Sequence, residues 1–491
     1  MTTFKSRYLI KLISNIINGL INIILVAIVP KALGTITYGE FSYLFQFFSR
    51  FIGFFDNGTS TAFFTKLSAD QNRKNLIGYY FLISTGILSI SILLIFIFQQ
   101  LGFQKDIFPN IDEKYIYLGL FSGFLIWFLE IFIKISDSYA LTVSVEILKI
   151  GYKIISAVIL ILLVNFTFFN LTIYLIFNIF SVALFIFAIS ILFIKKEIFT
   201  KAIWQNIKFQ KTSKEFWKYT SPLIVINTIS LAVGFFQIWL LQKFGGSEQT
   251  GFYGLAYQIS AMSFLFTSAM TQIIMREFSK SYGENDITEI RRLFQKYIPM
   301  LYSVAGFFAM FLLFQAENLL LIFTDEKFLG AVTVVMIMSF YPIHQTYGQL
   351  SSSLYFATER TKQFRNTGFF STGLSLILSL ILLYFLNLGA IGFAITMVVS
   401  QFIGTNIQLY FNTKYLEISY FRFLSHQIYS ILFFVSISYF AYILGNSETP
   451  LQSFLISGAI YTILTIFGTL IFPKIFATSR NELLRLNKKK I

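Results

Sequence analysis

LIGYYFLISTGILSISILLIFIF, residues 76–98, contains no charged side chain. At 1.5 Å of rise per residue a helix of this length reaches about 34 Å, enough to cross the roughly 30 Å hydrocarbon layer of a bilayer. Lipid offers no partner for a backbone N–H or C=O, so such a run closes its own hydrogen bonds as an α-helix. Working outward in both directions, runs of the same kind recur at 8–29, 36–60, 115–134, 140–164, 168–194, 215–242, 249–275, 295–323, 329–357, 365–386, 388–413, 422–444 and 451–472. The sequence therefore predicts an all-α membrane protein of about fourteen transmembrane helices.

Composition agrees. Of the 491 residues, 56% are hydrophobic and 12% charged, about half the charged share of an average soluble domain. With no cysteine there is no disulfide framework or thiolate metal site. The first run is long for a signal-peptide core and lacks a small-residue cleavage site after it, so it reads as a retained helix.

Net charge is +15, which by itself suggests nucleic acid, but the distribution of the charge points elsewhere. Taking the connections alternately, 30 of the 38 Lys and Arg lie on the side of both termini and 5 on the other, namely Lys31, Lys105, Lys114, Lys243 and Lys327. Basic residues mark the cytoplasmic ends of membrane helices, so both termini are expected in the cytoplasm, with no nucleic-acid partner. The basic loop 195–214 and the tail Lys488, Lys489 and Lys490 read as topogenic and as contacts to membrane lipids.

A repeat divides the chain. KALGTITYGEFSY begins at Lys31 and KFGGSEQTGFYGL at Lys243. At a constant offset of 212, Lys31 matches Lys243, Gly34 matches Gly246 and Gly39 matches Gly251, while Phe41 lies opposite Tyr253. Both segments run from helix to outer loop to helix in the same direction, the pattern of a parallel repeat. The expected organisation is a first lobe of helices 1–6 (1–195), a basic cytoplasmic linker (196–214) and a second lobe of helices 7–12 (215–415). Helices 13–14 (416–473) and a basic tail (474–491) follow.

Three cations sit well inside the runs, away from their ends: Arg50, Lys149 and Lys153. Each lies within about 5 Å of the midplane of its helix, where a charge costs roughly 3 kcal/mol or more. Lys149 and Lys153 are four apart, hence on one helix face. Asp56, Glu146 and Glu130 are also intramembrane; Glu146 can pair with Lys149, and Glu130 with Lys134. Charges paired this way hold helices in register. Otherwise the three cations line an aqueous cavity suited to an anion. Asn15, Asn18 and Asn22 continue a polar stripe from Lys11 along the first helix, fit either for substrate or for interhelical hydrogen bonds. Pro342, near the centre of run 329–357, is a candidate hinge or a static kink.

Several stretches carry a family resemblance: NIINGLINIILVAIVPKALGTITYGEFSYLFQF (15–47), FFDNGTSTAFFTK (54–66) and LNLGAIGFAITMVVSQFI (386–403). Through them the whole chain resembles the Wzx-like polysaccharide and O-antigen flippases of the multidrug/oligosaccharidyl-lipid/polysaccharide (MOP) exporter superfamily. The resemblance implies two pseudo-symmetric six-helix lobes in a V-shaped, MATE-like transporter of the bacterial cytoplasmic membrane. The implied cargo is an undecaprenyl-diphosphate-linked oligosaccharide, moved by alternating access, with a polysaccharide polymerase and glycosyltransferases as partners. Arg50, Lys149 and Lys153 would meet the diphosphate, and Asp56, Glu146 and Glu130 would serve as charge partners or in coupling. Many such flippases have twelve helices; the extra pair here resembles the lipid II flippase branch.

Two other functions compete. A cation-coupled multidrug exporter of the same superfamily favours intramembrane acids, and this chain has as many acids as cations there. A membrane polymerase or glycosyltransferase needs a sizeable outer loop, and the longest outer connection, 99–114, is short. There is no phosphate-binding GxxxxGK[ST] loop, and His344 and His426 lack spacing-matched ligands, so neither an enzyme nor a metal or cofactor site is expected.

Overall fold

In the computed structural model, which describes residues 4–166 and 168–478, every regular element is helical and no strand occurs among the described residues. The chain divides into two compact units, Met1–Gly251 and Phe252–Ile491.

The first unit opens with α1 (Phe4–Asp56), which carries the first two apolar runs as two helical segments meeting at a kink at Gly34. The elements α2 (Thr59–Ala69), α3 (Asn75–Gln100), α4 (Gln104–Ile107), α5 (Glu113–Ser138), α6 (Thr142–Phe166), α7 (Leu171–Lys195) and α8 (Phe209–Leu240) follow. A π-helical turn, Leu241–Gly245, then leads into α9 (Gly246–Ala261), whose first residues close the unit. Its core is aromatic: Phe63 stacks on Tyr80 at 4.6 Å, and Phe132 on Phe193 at 6.1 Å. Ile77, Ile131, Ile135 and Ile189 fill the space between them.

The second unit is built around α11 (Ile287–Phe323), which packs on α10 (Phe264–Gly283), α12 (Val332–Met338), α13 (Tyr341–Ala357), α16 (Tyr420–Leu444) and α17 (Pro450–Ile471). Between α13 and α16 lie α14 (Thr361–Ser379), prolonged by a π-helical turn to Phe385, and α15 (Gly389–Tyr415).

Large apolar side chains point outward in both units, among them Phe180 (66% exposed), Ile155 (61%), Leu432 (61%) and Phe467 (61%). Water would not tolerate so apolar an exterior; hydrocarbon does. Among the described residues ten helices are long and apolar enough to cross a membrane, against the fourteen runs of the sequence.

Three of those runs are not single helices. The run 36–60 stops at Asp56, because Asn57 (φ 38°) and Gly58 (φ 87°) turn the chain into α2. The run 249–275 breaks between α9 and α10, at Met262 and Ser263. The run 329–357 begins with a 3-10 turn, Glu326–Ala331, and is interrupted at Ser339 and Phe340. Pro342 then sits in the first turn of α13, where a missing N–H costs nothing. The interruption therefore lies just before the proline.

The repeat is visible in the backbone. Gly34 has φ 76° and ψ 170°; Gly246, 212 residues later, has φ 79° and ψ 178°. This region is essentially closed to residues with a Cβ. Five residues further on, the two motifs touch. A Cβ built on Gly39 would stand 1.6 Å from the Ser247 carbonyl oxygen, and one on Gly251 would stand 2.6 Å from that of Thr35. Thr35 and Ser247 share the same offset, so the contact is reciprocal. The aromatic two residues after each glycine docks equivalently: Phe41 packs edge-on against Tyr174 of α7 at 4.8 Å, and Tyr253 lies 4.3 Å from Phe393 of α15.

Candidate functional site

Helix α6 presents two unlike faces. Leu148, Gly151, Ile155 and Ile159 recur at helical spacing and, with Phe180 and Leu184 of α7, line an apolar groove of about 420 Å³. Ile155 and Leu184 in that groove are largely exposed, as a lipid-facing surface requires. Lys149 and Lys153 are rotated from this line by about 100–140°, so they lie off the lipid-facing strip. Helix α6 packs most extensively against α1.

On the lysine face the charges are unequally compensated. Glu146 is buried, and its carboxylate lies 3.9 Å from the Lys149 ammonium, the i,i+3 pairing anticipated from the sequence. Lys153, one turn further along, is half-buried and forms no hydrogen bond or ion pair among the described residues. Lys149 acts on it as a like charge. Among the described residues of this face, two ammonium groups thus stand beside one carboxylate.

Arg50 is placed differently. Its guanidinium donates to the backbone carbonyl of Gly234 in α8, using the second lone pair that a helical carbonyl retains. The same two helices also meet through Phe47 and Phe235, whose rings are 4.1 Å apart and tilted by 52°. Arg50 therefore fastens α1 to α8, and no described contact joins it to Lys149 or Lys153.

Asp56 lies in the turn before α2. Its carboxylate accepts from the Ser60 N–H (2.8 Å), Ser60 Oγ (2.7 Å), Thr59 Oγ1 (2.9 Å) and Tyr80 Oη (2.9 Å). An anion that captures a first-turn N–H offsets the positive end of the helix dipole. The Lys134 ammonium donates to Ser60 Oγ at 2.6 Å and joins this network, while Glu130 is exposed. Lys134 thus serves the Asp56 turn, a role that pairing rules along one helix do not reveal. The Asp56–Asn57–Gly58 turn followed by Thr59 and Ser60 is the signal that finds it: an acid, a turn and hydroxyls before a helix.

The side chains of Asn15, Asn18 and Asn22 lie outside the described residues. In the second unit the region after Pro342 forms a neutral polar seam. Gln401 donates to Gln345 (2.5 Å), Thr267 and Thr346 share a hydrogen bond (2.9 Å), and the His344 ring packs against Phe402 at 4.9 Å. His426 has its Nε2 2.8 Å from the Ile475 carbonyl oxygen. No cluster of His, Cys, Asp and Glu able to hold a metal occurs among the described residues.

No family model and no curated protein matches the sequence. Solved structures do share its fold. The lipid II flippase MurJ, in an inward closed conformation, is 15% identical with a TM-score of 0.69, over 96% of this chain and 99% of that one. An inward-facing multidrug resistance MATE family transporter of the MOP superfamily is 13% identical with a TM-score of 0.58, over 85% of this chain and 96% of that one. A MOP superfamily transporter from Pyrococcus furiosus, described as having a binding pocket of reversed polarity, is 13% identical with a TM-score of 0.55, over 84% and 96%. The chain has the fold of the MOP superfamily transporters.

Proposed function

We propose that this protein is a flippase that carries a polyprenyl-diphosphate-linked oligosaccharide across the bacterial cytoplasmic membrane by alternating access, with both termini in the cytoplasm. The observation that carries the reading is Lys153, an intramembrane ammonium with no described partner beside a lysine that shares its acid. An uncompensated ammonium at this depth costs roughly 3 kcal/mol or more, and a membrane chain tolerates it where an anion or water meets it. A diphosphate supplies at least two negative charges to two ammonium groups one turn apart. Arriving there, it competes with Glu146 for Lys149, which gives the cargo a handle on the helix itself. Asn15, Asn18 and Asn22 are the proposed sugar contacts, and the interruption before Pro342 is the proposed hinge.

Arg50 enters this reading as a positioning residue through its clamp on α8. Asp56, tied to four donors and through Ser60 to Lys134, is the carboxylate best placed to couple transport to a small cation; Glu130, exposed, serves the rim. A polysaccharide polymerase and glycosyltransferases are the proposed partners. The fold also suits a multidrug exporter, and MATE transporters are among its structural neighbours.

The test is flipping of a fluorescent polyprenyl-diphosphate oligosaccharide by the purified protein in vesicles. Lys153→Ala is expected to slow flipping at least about tenfold, equivalent to about 1.4 kcal/mol. Lys149→Ala should act in the same direction, and Lys153→Arg should retain most activity. Unchanged rates in both alanine variants, at equal reconstituted protein, would overturn the proposal. Export of a cationic drug that is indifferent to both lysines would favour the exporter instead.

A further inference from the structure

A cationic cavity lies wholly within the second unit, where α11, α16 and the chain after α17 converge. It measures about 900 Å³ and is lined in part by Arg422, His426 and Lys474. No acid is among its lining residues. This is within the size range of small-molecule sites.

The cavity is built rather than accidental. Lys474 stands in a 3-10 turn, Pro473–Phe476, whose next residue, Ile475, is fully buried. The Ile475 carbonyl accepts from Ser303 Oγ of α11 at 2.5 Å and lies 2.8 Å from His426 Nε2 of α16. Ser303 and Ser430 Oγ are a further 3.1 Å apart. This knot ties the lysine-bearing turn to both helices, and Lys474 lines the cavity together with Arg422 of the first turn of α16. Its floor is apolar, with Pro299 and Phe423 buried.

One side opens onto the lipid-facing exterior. Tyr429, Ile471 and Phe472 line the cavity and are 41%, 66% and 48% exposed. Tyr429 is seven residues beyond Arg422, about 10 Å deeper along the helix. That depth carries Tyr429 from headgroup level into the acyl region. The sequence beyond Thr478 adds five Lys and Arg against one Glu at the same end of the chain.

We infer that this cavity is a binding site for a resident membrane phospholipid of net negative charge. The phosphodiester sits between Arg422 and Lys474, and an acyl chain lies over Tyr429, Ile471 and Phe472. The site is separate from the Lys149–Lys153 face and does not depend on the transport reading. Surface lysines and arginines at helix ends ordinarily snorkel to headgroups of any charge; a walled cavity lined by two cations and no acid selects for charge.

Native mass spectrometry of the full chain, released from detergent containing equal phosphatidylglycerol and phosphatidylcholine, tests this. Wild type should retain phosphatidylglycerol in preference. The double variant Arg422→Gln, Lys474→Gln should lose at least about tenfold of that retention with phosphatidylcholine unchanged, and Arg422→Lys should keep most of it. Both glutamines replace exposed side chains, so the fold should survive, as a thermal melt will verify. Equal retention of the two lipids by wild type, or equal phosphatidylglycerol retention by wild type and the double variant, would overturn the site. Displacement of phosphatidylglycerol by an equimolar polyprenyl diphosphate would overturn its assignment to a resident phospholipid.

Discussion

The two outer-turn motifs, 31–43 and 243–255, have nearly the same backbone and quite different surroundings. Gly34 and Gly246 adopt the same glycine-only conformation, and Gly39 and Gly251 face each other. Both helical paths break at this glycine, but only the second reaches it through a π-helical turn, Leu241–Gly245. Lys31 is exposed, while Lys243 lies 3.1 Å from Asp106 and 5.0 Å above the Trp239 ring. Backbone geometry has been kept where sterics leave no choice, and side-chain partners have drifted where they do. The α6 cations divide between the two rules: at the same offset Lys153 falls opposite Arg365 of α14, whereas Lys149 falls opposite the neutral Thr361.

The largest expected effect is at the contact between the motifs. Gly39→Ala puts a methyl 1.6 Å from a backbone oxygen that no rotamer change can move. It should cost about 3 kcal/mol or more, at the upper end of overpacking. Gly251→Ala, with 2.6 Å to its oxygen, should cost less, about 1–3 kcal/mol. Thermal unfolding in detergent ranks the two, and the reverse order would break the comparison.

Next come Gly34→Ala and Gly246→Ala. Neither added Cβ meets an atom within 4 Å, so the penalty is backbone strain alone, about 1–3 kcal/mol. Because the dihedrals match, the two losses should agree to about 0.5 kcal/mol, the ordinary scatter between independent sites. A clear inequality in the same unfolding assay would mean that the turns are not equivalent.

The smallest effect separates the lysines. Lys243→Ala removes a largely exposed ion pair and a ring contact, together about 1 kcal/mol. Lys31→Ala should be neutral in the same measurement, and equal losses would remove the asymmetry.

Much of this fold could be read from hydropathy because the bilayer imposes it: a long apolar run has to be a helix. The repeat was legible from glycines, whose positions are set by backbone sterics and not by chemistry. What hydropathy hid were the breaks. The turn at Asn57 and Gly58, the interruption before Pro342 and the gap at Met262 sit inside apolar stretches and change the average very little. The candidate site was legible where partners share a helix, as Glu146 and Lys149 do. It was hidden where the partner was a main-chain group or came from another helix. Arg50 meets a carbonyl 184 residues away, and Lys134 a serine 74 residues away. A carbonyl leaves no mark in the sequence at all.

The reciprocal seat of Gly39 and Gly251 also bears on ancestry. Residue 39 presses on 247 and residue 251 on 35, so each motif treats the other as its own image. That is the form of an isologous contact in a two-fold homodimer, closed here within a single chain. In a dimer one substitution would strike both sides of such a contact together. Within one chain each side of the contact mutates alone, so the two clearances, 1.6 and 2.6 Å, need not be equal.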